Sequence, residues 1–166
     1  MANLDLKRLE KLLFRVNHST VHLNSGGCGI FAGHLGKKLE SLGYQVNIQI
    51  YGDFGRAHSK VQSFWNNYYR QTISMNTSIR EVQDDCGADF GHVVVNVPKL
   101  RVLIDSTGIY TSIKRHKHDH FKCMNLNLEI TPDEMIKLNS NRIGWNPMYN
   151  REQNPKLKRL IMNAKL

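Results

Sequence analysis

Cysteine is scarce in this sequence and long apolar runs are missing altogether. The three cysteines, Cys28, Cys86 and Cys123, are odd in number and irregular in spacing, which excludes a disulfide framework. In a reducing compartment each stays a thiol. No apolar run reaches the ~18 residues of a membrane span, so no membrane partner is expected. Met1 to Phe14 alternates charges with leucines and lacks the unbroken apolar core of a signal peptide, so the expected location is cytoplasmic. There is no internal repeat, no zinc-finger spacing and no aromatic strand of the RNA-recognition type. Nucleic acid is therefore a partner that the charge allows and no motif supports.

What is present fits one domain over 1–166. A chain of this size buries roughly two-thirds of its unfolded surface, so neither a disulfide nor a metal is needed for folding. The formal net charge is +9, and from Lys114 onward eleven Lys and Arg face five Asp and Glu. This divides the domain into a core over about 18–110 and a basic C-terminal extension over about 114–166. The plain reading of the excess is a solvated surface. The sharper one is an acidic partner held by Lys114, Arg115, Lys117, Lys156, Lys158 and Arg159.

Hydrophobic periodicity sets the elements. Leu4, Leu6, Leu9, Leu12, Leu13 and Val16 have helical spacing. A glycine-bearing loop over His18–Gly27 leads into a second helix from Cys28 to Leu42, stopped by Gly43. Tyr44 to Tyr51 alternates as a strand, and Ser59 to Met75 reads as an aromatic-rich helix. GHVVVNV over Gly91–Val97 and LRVLID over Leu100–Asp105 read as a hairpin joined at Pro98-Lys99. A further strand over Cys123–Ile130, a helix starting at Thr131-Pro132-Asp133-Glu134 with a capping box, and a basic helix over Pro155–Leu166 complete the chain. The order predicts an α+β fold with an antiparallel sheet.

Three residues carry a chemical pattern. Thiol catalysis requires a thiolate, a base beside it and a group that orients the base. Cys28 stands where a helix begins, after Asn24-Ser25-Gly26-Gly27. Unpaired N–H groups and the helix dipole lower a thiol pKa there. His92 opens one strand and Asp105 ends the next. An antiparallel hairpin makes those two positions neighbours.

The segments GGCGIFAGHLGKKLESLGY, GHVVVNV and LRVLIDSTG together resemble the cysteine enzymes of the papain-like and transglutaminase-like superfamily. The resemblance covers Asn24 to Gly108, about half the chain. It implies a central helix with Cys28 at its N-terminus, packed on a small antiparallel sheet carrying His92 and Asp105. It implies a thiol-dependent hydrolase or acyltransferase acting on an amide or acyl bond of a protein or peptide, with Cys28, His92 and Asp105 as catalytic residues and no cofactor. The papain-like proteases place a Gln shortly before the Cys as oxyanion donor. This sequence has none there; Asn24 is the best substitute, His22 the second, and the Cys28 N–H is the other donor.

Each assignment has a plainer alternative. Cys28 is a buried structural thiol, His92 a hydrogen-bonded strand histidine, and Asp105 a cap for the turn at Ser106 and Thr107. His34 is a packing or surface residue, and Cys86 and Cys123 are inert. His116, His118, His120 and Cys123 have ligand-type side chains, but the Lys and Arg among them repel a cation. That segment reads as an exposed basic patch, and no metal is expected. The function alternative to the enzyme is a catalytically silent form of the same fold that binds an acidic protein or nucleic acid.

Overall fold

A computed structural model of the chain describes residues 4–19, 23, 27–53, 89–140 and 154–166. In chain order the described elements are α1 (Leu6–Ser19), α2 (Cys28–Ser41), β1 (Asn47–Asp53), β2 (Asp89–Val97), β3 (Val102–Asp105), β4 (Gly108–Tyr110), α3 (Asp119–Lys122), β5 (Asn125–Ile130), α4 (Pro132–Ser140) and α5 (Asn154–Met162). Short 3₁₀ turns occupy Pro98–Leu100 and Ile113–Arg115. The helix expected over Ser59–Met75 lies outside the described residues.

The fold is α+β. One five-stranded sheet runs β4-β3-β2-β1-β5, and every neighbouring pair is antiparallel. β-Strand side chains alternate between faces. Val93, Val95 and Val97 of β2 therefore join Ile48, Ile50 and Ile104 against the helices. Val94, with Tyr51 and Leu103, lies on the other face, where Tyr110, Ile113, Met124 and Leu126 cover it.

The central helix α2 is buried from Cys28 through Gly36. A helix without a polar stripe in that stretch must be enclosed by other elements. Small residues allow this: a Cβ built at Gly36 would lie 2.7 Å from Pro132 Cγ and 3.1 Å from Ile48 Cδ1, and one at Gly33 3.0 Å from Ile136 Cγ1. α2 ends as expected, with Gly43 at φ 85°, a conformation that costs glycine little.

The capping box at α4 forms. Thr131 N–H donates to Glu134 Oε2 at 2.8 Å and Glu134 N–H to Thr131 Oγ1 at 3.2 Å. The β2–β3 connection is longer than a tight turn at Pro98-Lys99. It runs through the 3₁₀ turn and Arg101 at φ 54°, so that Val97 pairs with Val102. Described parts of the segment expected as a basic extension contribute to the sheet and the core. β5 pairs with β1, and Met135, Leu157 and Ile161 are fully buried among the central apolar residues.

Candidate active site

β2 carries a glycine where it must bend. Tyr51 pairs with His92 and Gly52 with Phe90, so Gly91 is the extra residue of a β-bulge. A Cβ at Gly91 would overlap the Met124 side chain. Bulges re-aim the adjacent side chain, here His92. His92 lies on the sheet face away from α2, stacked on Phe121 with ring centroids 4.0 Å apart. Asp105, at the end of β3, projects from the same face as Leu103, and His92 Nε2 lies 2.7 Å from Asp105 Oδ2. The structure thus brings the expected base and orienter into contact.

The two oxygens of Asp105 do different things. Oδ1 accepts from the Thr107 N–H at 2.6 Å, the Thr107 hydroxyl at 2.8 Å and the Gly108 N–H at 3.0 Å. It caps the turn. Oδ2 serves histidine, and it serves two of them: His116 Nε2 lies 2.6 Å away. The turn cap and the two histidine contacts are thus made by separate oxygens of one carboxylate. Burial at 1% exposure pushes the Asp105 pKa up. Hydrogen bonds from His116, His92 and Thr107, with the attraction of the His92 ring, outweigh burial and hold it far below the usual carboxylate range. Asp105 is therefore ionised and accepts at every contact.

That fixes two proton positions. An ionised Oδ2 requires Nε2–H on both rings. His116 Nδ1 independently accepts the backbone N–H of His118 at 2.9 Å, which needs a lone pair on Nδ1 and leaves the proton on Nε2. His92 has its Nε2 committed to Asp105, and among the described residues nothing hydrogen-bonds its Nδ1. Its neutral ring therefore offers Nδ1 as the basic nitrogen.

Ligand atoms of His92, Asp105 and His116 lie within 4.8 Å of one another, a set with the composition of a metal site. The proton arrangement argues against that use. A ligating nitrogen must be bare, yet His116 Nε2 carries its proton as long as Nδ1 accepts from His118. Both histidines also contact the same oxygen directly, at 2.6 and 2.7 Å.

Cys28 is the first residue of α2, and Gly27 before it supplies no side-chain cap. The N–H groups of Val93, Gly29 and Cys28 itself face the sulfur and favour its anion. Burial is the larger effect: at 4% exposure the thiol pKa is pushed up to about 11, with the Asp105 charge adding to the rise. No hydrogen bond joins Cys28 to His92 among the described residues. The sulfur instead faces the peptide N–H of Val93, the residue that follows His92. The expectation of a helix-start thiolate is corrected for this state: Cys28 is a thiol, because desolvation outweighs the helix N-terminus.

The remaining candidates separate cleanly. Asn24, His22 and Cys86 lie outside the described residues. Cys123 is exposed. His34 is a buried tie between helices, with Nε2 2.6 Å from Asn154 Oδ1 and its pKa lowered by burial. The segment read as one exposed basic patch is divided. Lys114, Arg115 and Lys117 are exposed, whereas His116 is 1% exposed, held between Tyr110 and Phe121. His116 is the site residue that sequence reasoning missed. The available signal was apolar: Ile113 and Phe121 flank it, as they would a segment folded back onto the sheet.

Comparison with protein-family models, with curated proteins and with solved structures finds no match.

Proposed function

We propose that the chain is a thiol-dependent acyl hydrolase or acyltransferase, with Cys28 as nucleophile, His92 as base and Asp105 as orienter. The observation that carries this reading is the proton arrangement on His92. Asp105 holds Nε2–H, so the ring's free lone pair is on Nδ1; the Cys28 sulfur sits at the next peptide along the strand but on the α2 face of the sheet, so the reaction requires the two side chains to move together from the positions they hold here. His116 is a positioning residue: it holds Asp105 ionised and fixed from the far side.

In the proposed reaction the Cys28 proton passes to His92 Nδ1 as the sulfur attacks an acyl carbon. A C–S bond forms, the bond from carbon to the leaving nitrogen or oxygen breaks, and the Nδ1 proton goes to the leaving group. Water or an amine then attacks the thioester, gives its proton to Nδ1 and frees the thiol, which recovers its proton from the ring. Asp105 stays ionised and stabilises the imidazolium. A protein or peptide amide is the substrate class that the papain-like resemblance implies.

A second reading is favoured by the burial of Cys28 and the absence of a bond to His92: a silent form of the same fold that serves as a binding module. Acylation separates the two. The full chain is incubated with a p-nitrophenyl ester, and the acyl group is located by peptide mass spectrometry. A thioester on Cys28 that is lost in His92→Ala supports the enzyme. Acylation of exposed Cys123 alone supports the silent fold.

A further inference from the structure

The packing of α1 against α5 leaves a groove of about 320 Å³ lined by Arg15, Ser19, Lys156, Arg159, Leu160 and Asn163. Three of these six side chains are cations and none is a carboxylate. Three other cations among the described residues have acidic partners: Arg8 pairs with Asp5, Lys37 with Glu40 and Asp133, and Lys122 with Asp119. The side chains of Arg15, Lys156 and Arg159 have no ion pair or hydrogen bond among the described residues, and all three residues are exposed. Glu10 is the other acidic residue of the α1 stretch, and it stands about 140° around the helix from Arg15 at 3.6 residues per turn. α5 contains no acidic residue at all. The two helices carry seven cations and one carboxylate between them, and only Arg8 of the seven has an ion pair among the described residues, so the charges that meet at the groove cost free energy through like-charge repulsion.

We infer that this groove is a binding site for a phosphate monoester of nucleotide size. The charge and the donors select the group. A carboxylate has one charge and two oxygens, and a single guanidinium fork satisfies it. Here two guanidiniums, one ammonium, the Ser19 hydroxyl and the Asn163 amide line one groove. A phosphate monoester matches that set, with three terminal oxygens and a charge of roughly −1.5 to −2 at neutral pH. Arg is suited to grip such oxygens in pairs. The apolar wall of Leu160 and Ala164 accommodates the carbon side of the ester. The volume of about 320 Å³ suits a mononucleotide. The groove is separate from the proposed thiol site. Asn17, on the opposite flank of α1 from Arg15, hydrogen-bonds the Ser106 carbonyl beside Asp105.

The test uses the full chain and two probes, inorganic phosphate and AMP, titrated calorimetrically at low salt. The expected result is saturable binding of AMP at one site per chain, with phosphate competing for it. Arg15→Gln and Arg159→Gln should each weaken AMP roughly tenfold, as loss of a charged hydrogen-bond donor does, without changing the thermal midpoint. Lys114→Gln with Arg115→Gln, outside the groove, should leave binding intact. Binding of phosphate that AMP cannot displace would assign the site to the free anion and overturn the monoester. So would an absence of saturable binding, or AMP binding that survives loss of both groove arginines. A single-stranded oligonucleotide bound far more tightly than AMP, with a steep salt dependence lost on removing Lys114 and Arg115, would replace the groove with a nucleic-acid surface.

Discussion

Asp105→Asn changes one atom and places a donor where the site has only donors to offer. In the wild type five hydrogen bonds converge on the carboxylate, three on Oδ1 and two on Oδ2. An asparagine must aim its NH₂ either at Thr107 and Gly108, which present N–H groups, or at the two imidazoles. His116 cannot give up its Nε2 proton without turning Nδ1–H against the N–H of His118. His92 can, but the exchange moves its proton to Nδ1 and removes the base. Breaking such a buried, charge-assisted arrangement costs about 3–5 kcal/mol, which in a chain of this size lowers the thermal midpoint by roughly 2–4 °C per kcal/mol. The pH dependence has a definite sign. The folded Asp105 pKa lies far below its unfolded value, so its contribution is complete above the unfolded value near ~4 and is lost as pH falls through the folded value. Urea unfolding at a series of pH values from 7 to 2 should show wild type ahead of Asp105→Asn at neutral pH, with the gap closing under acid. Equal stability at pH 7, or a gap that persists undiminished to pH 2, would refute this account of the carboxylate.

Three further outcomes follow from the same structure. His116→Ala should lower stability by about 1–3 kcal/mol, the range for a broken buried hydrogen bond, while dialysis of the wild type against a chelator should leave its thermal midpoint unchanged; a chelator-induced drop that added zinc restores would make the cluster a metal site. Gly36→Ala should cost about 1–3 kcal/mol in urea unfolding, because its Cβ would lie 2.7 Å from Pro132 Cγ and 3.1 Å from Ile48 Cδ1, and wild-type stability there would mean that α4 shifts freely.

Periodicity made the sheet and the main helices legible because one face of each is buried. Val93, Val95 and Val97 announce β2, and the capping box announces α4 within a residue. β4 was not legible: Gly108–Tyr110 is short and half-exposed, so alternation has almost no length over which to show. At the site, His92 and Asp105 were legible together because a hairpin brings the start of one strand beside the end of the next. His116 was hidden by its neighbours, since Lys114, Arg115 and Lys117 give the segment a solvated character that one inward-turning residue does not share. The thiol state of Cys28 was also beyond sequence reading. A helix start and glycine flanks favour an anion, and only the burial in the folded chain decides the balance the other way.

The central claim is that His92 takes the proton of Cys28, and the pH profile of Cys28 alkylation tests it most directly. Iodoacetamide labelling of the full chain is followed residue by residue by mass spectrometry, in wild type and in His92→Ala, with exposed Cys123 as internal control. In the resting fold burial pushes the Cys28 thiol up to about 11. The account predicts that wild-type Cys28 reacts well below that pH, because Nδ1 of His92 accepts the proton as the sulfur attacks. In His92→Ala the profile should retreat toward pH 11 while Cys123 is unchanged. Superimposable Cys28 profiles in the two proteins, both rising only toward pH 11, would contradict it.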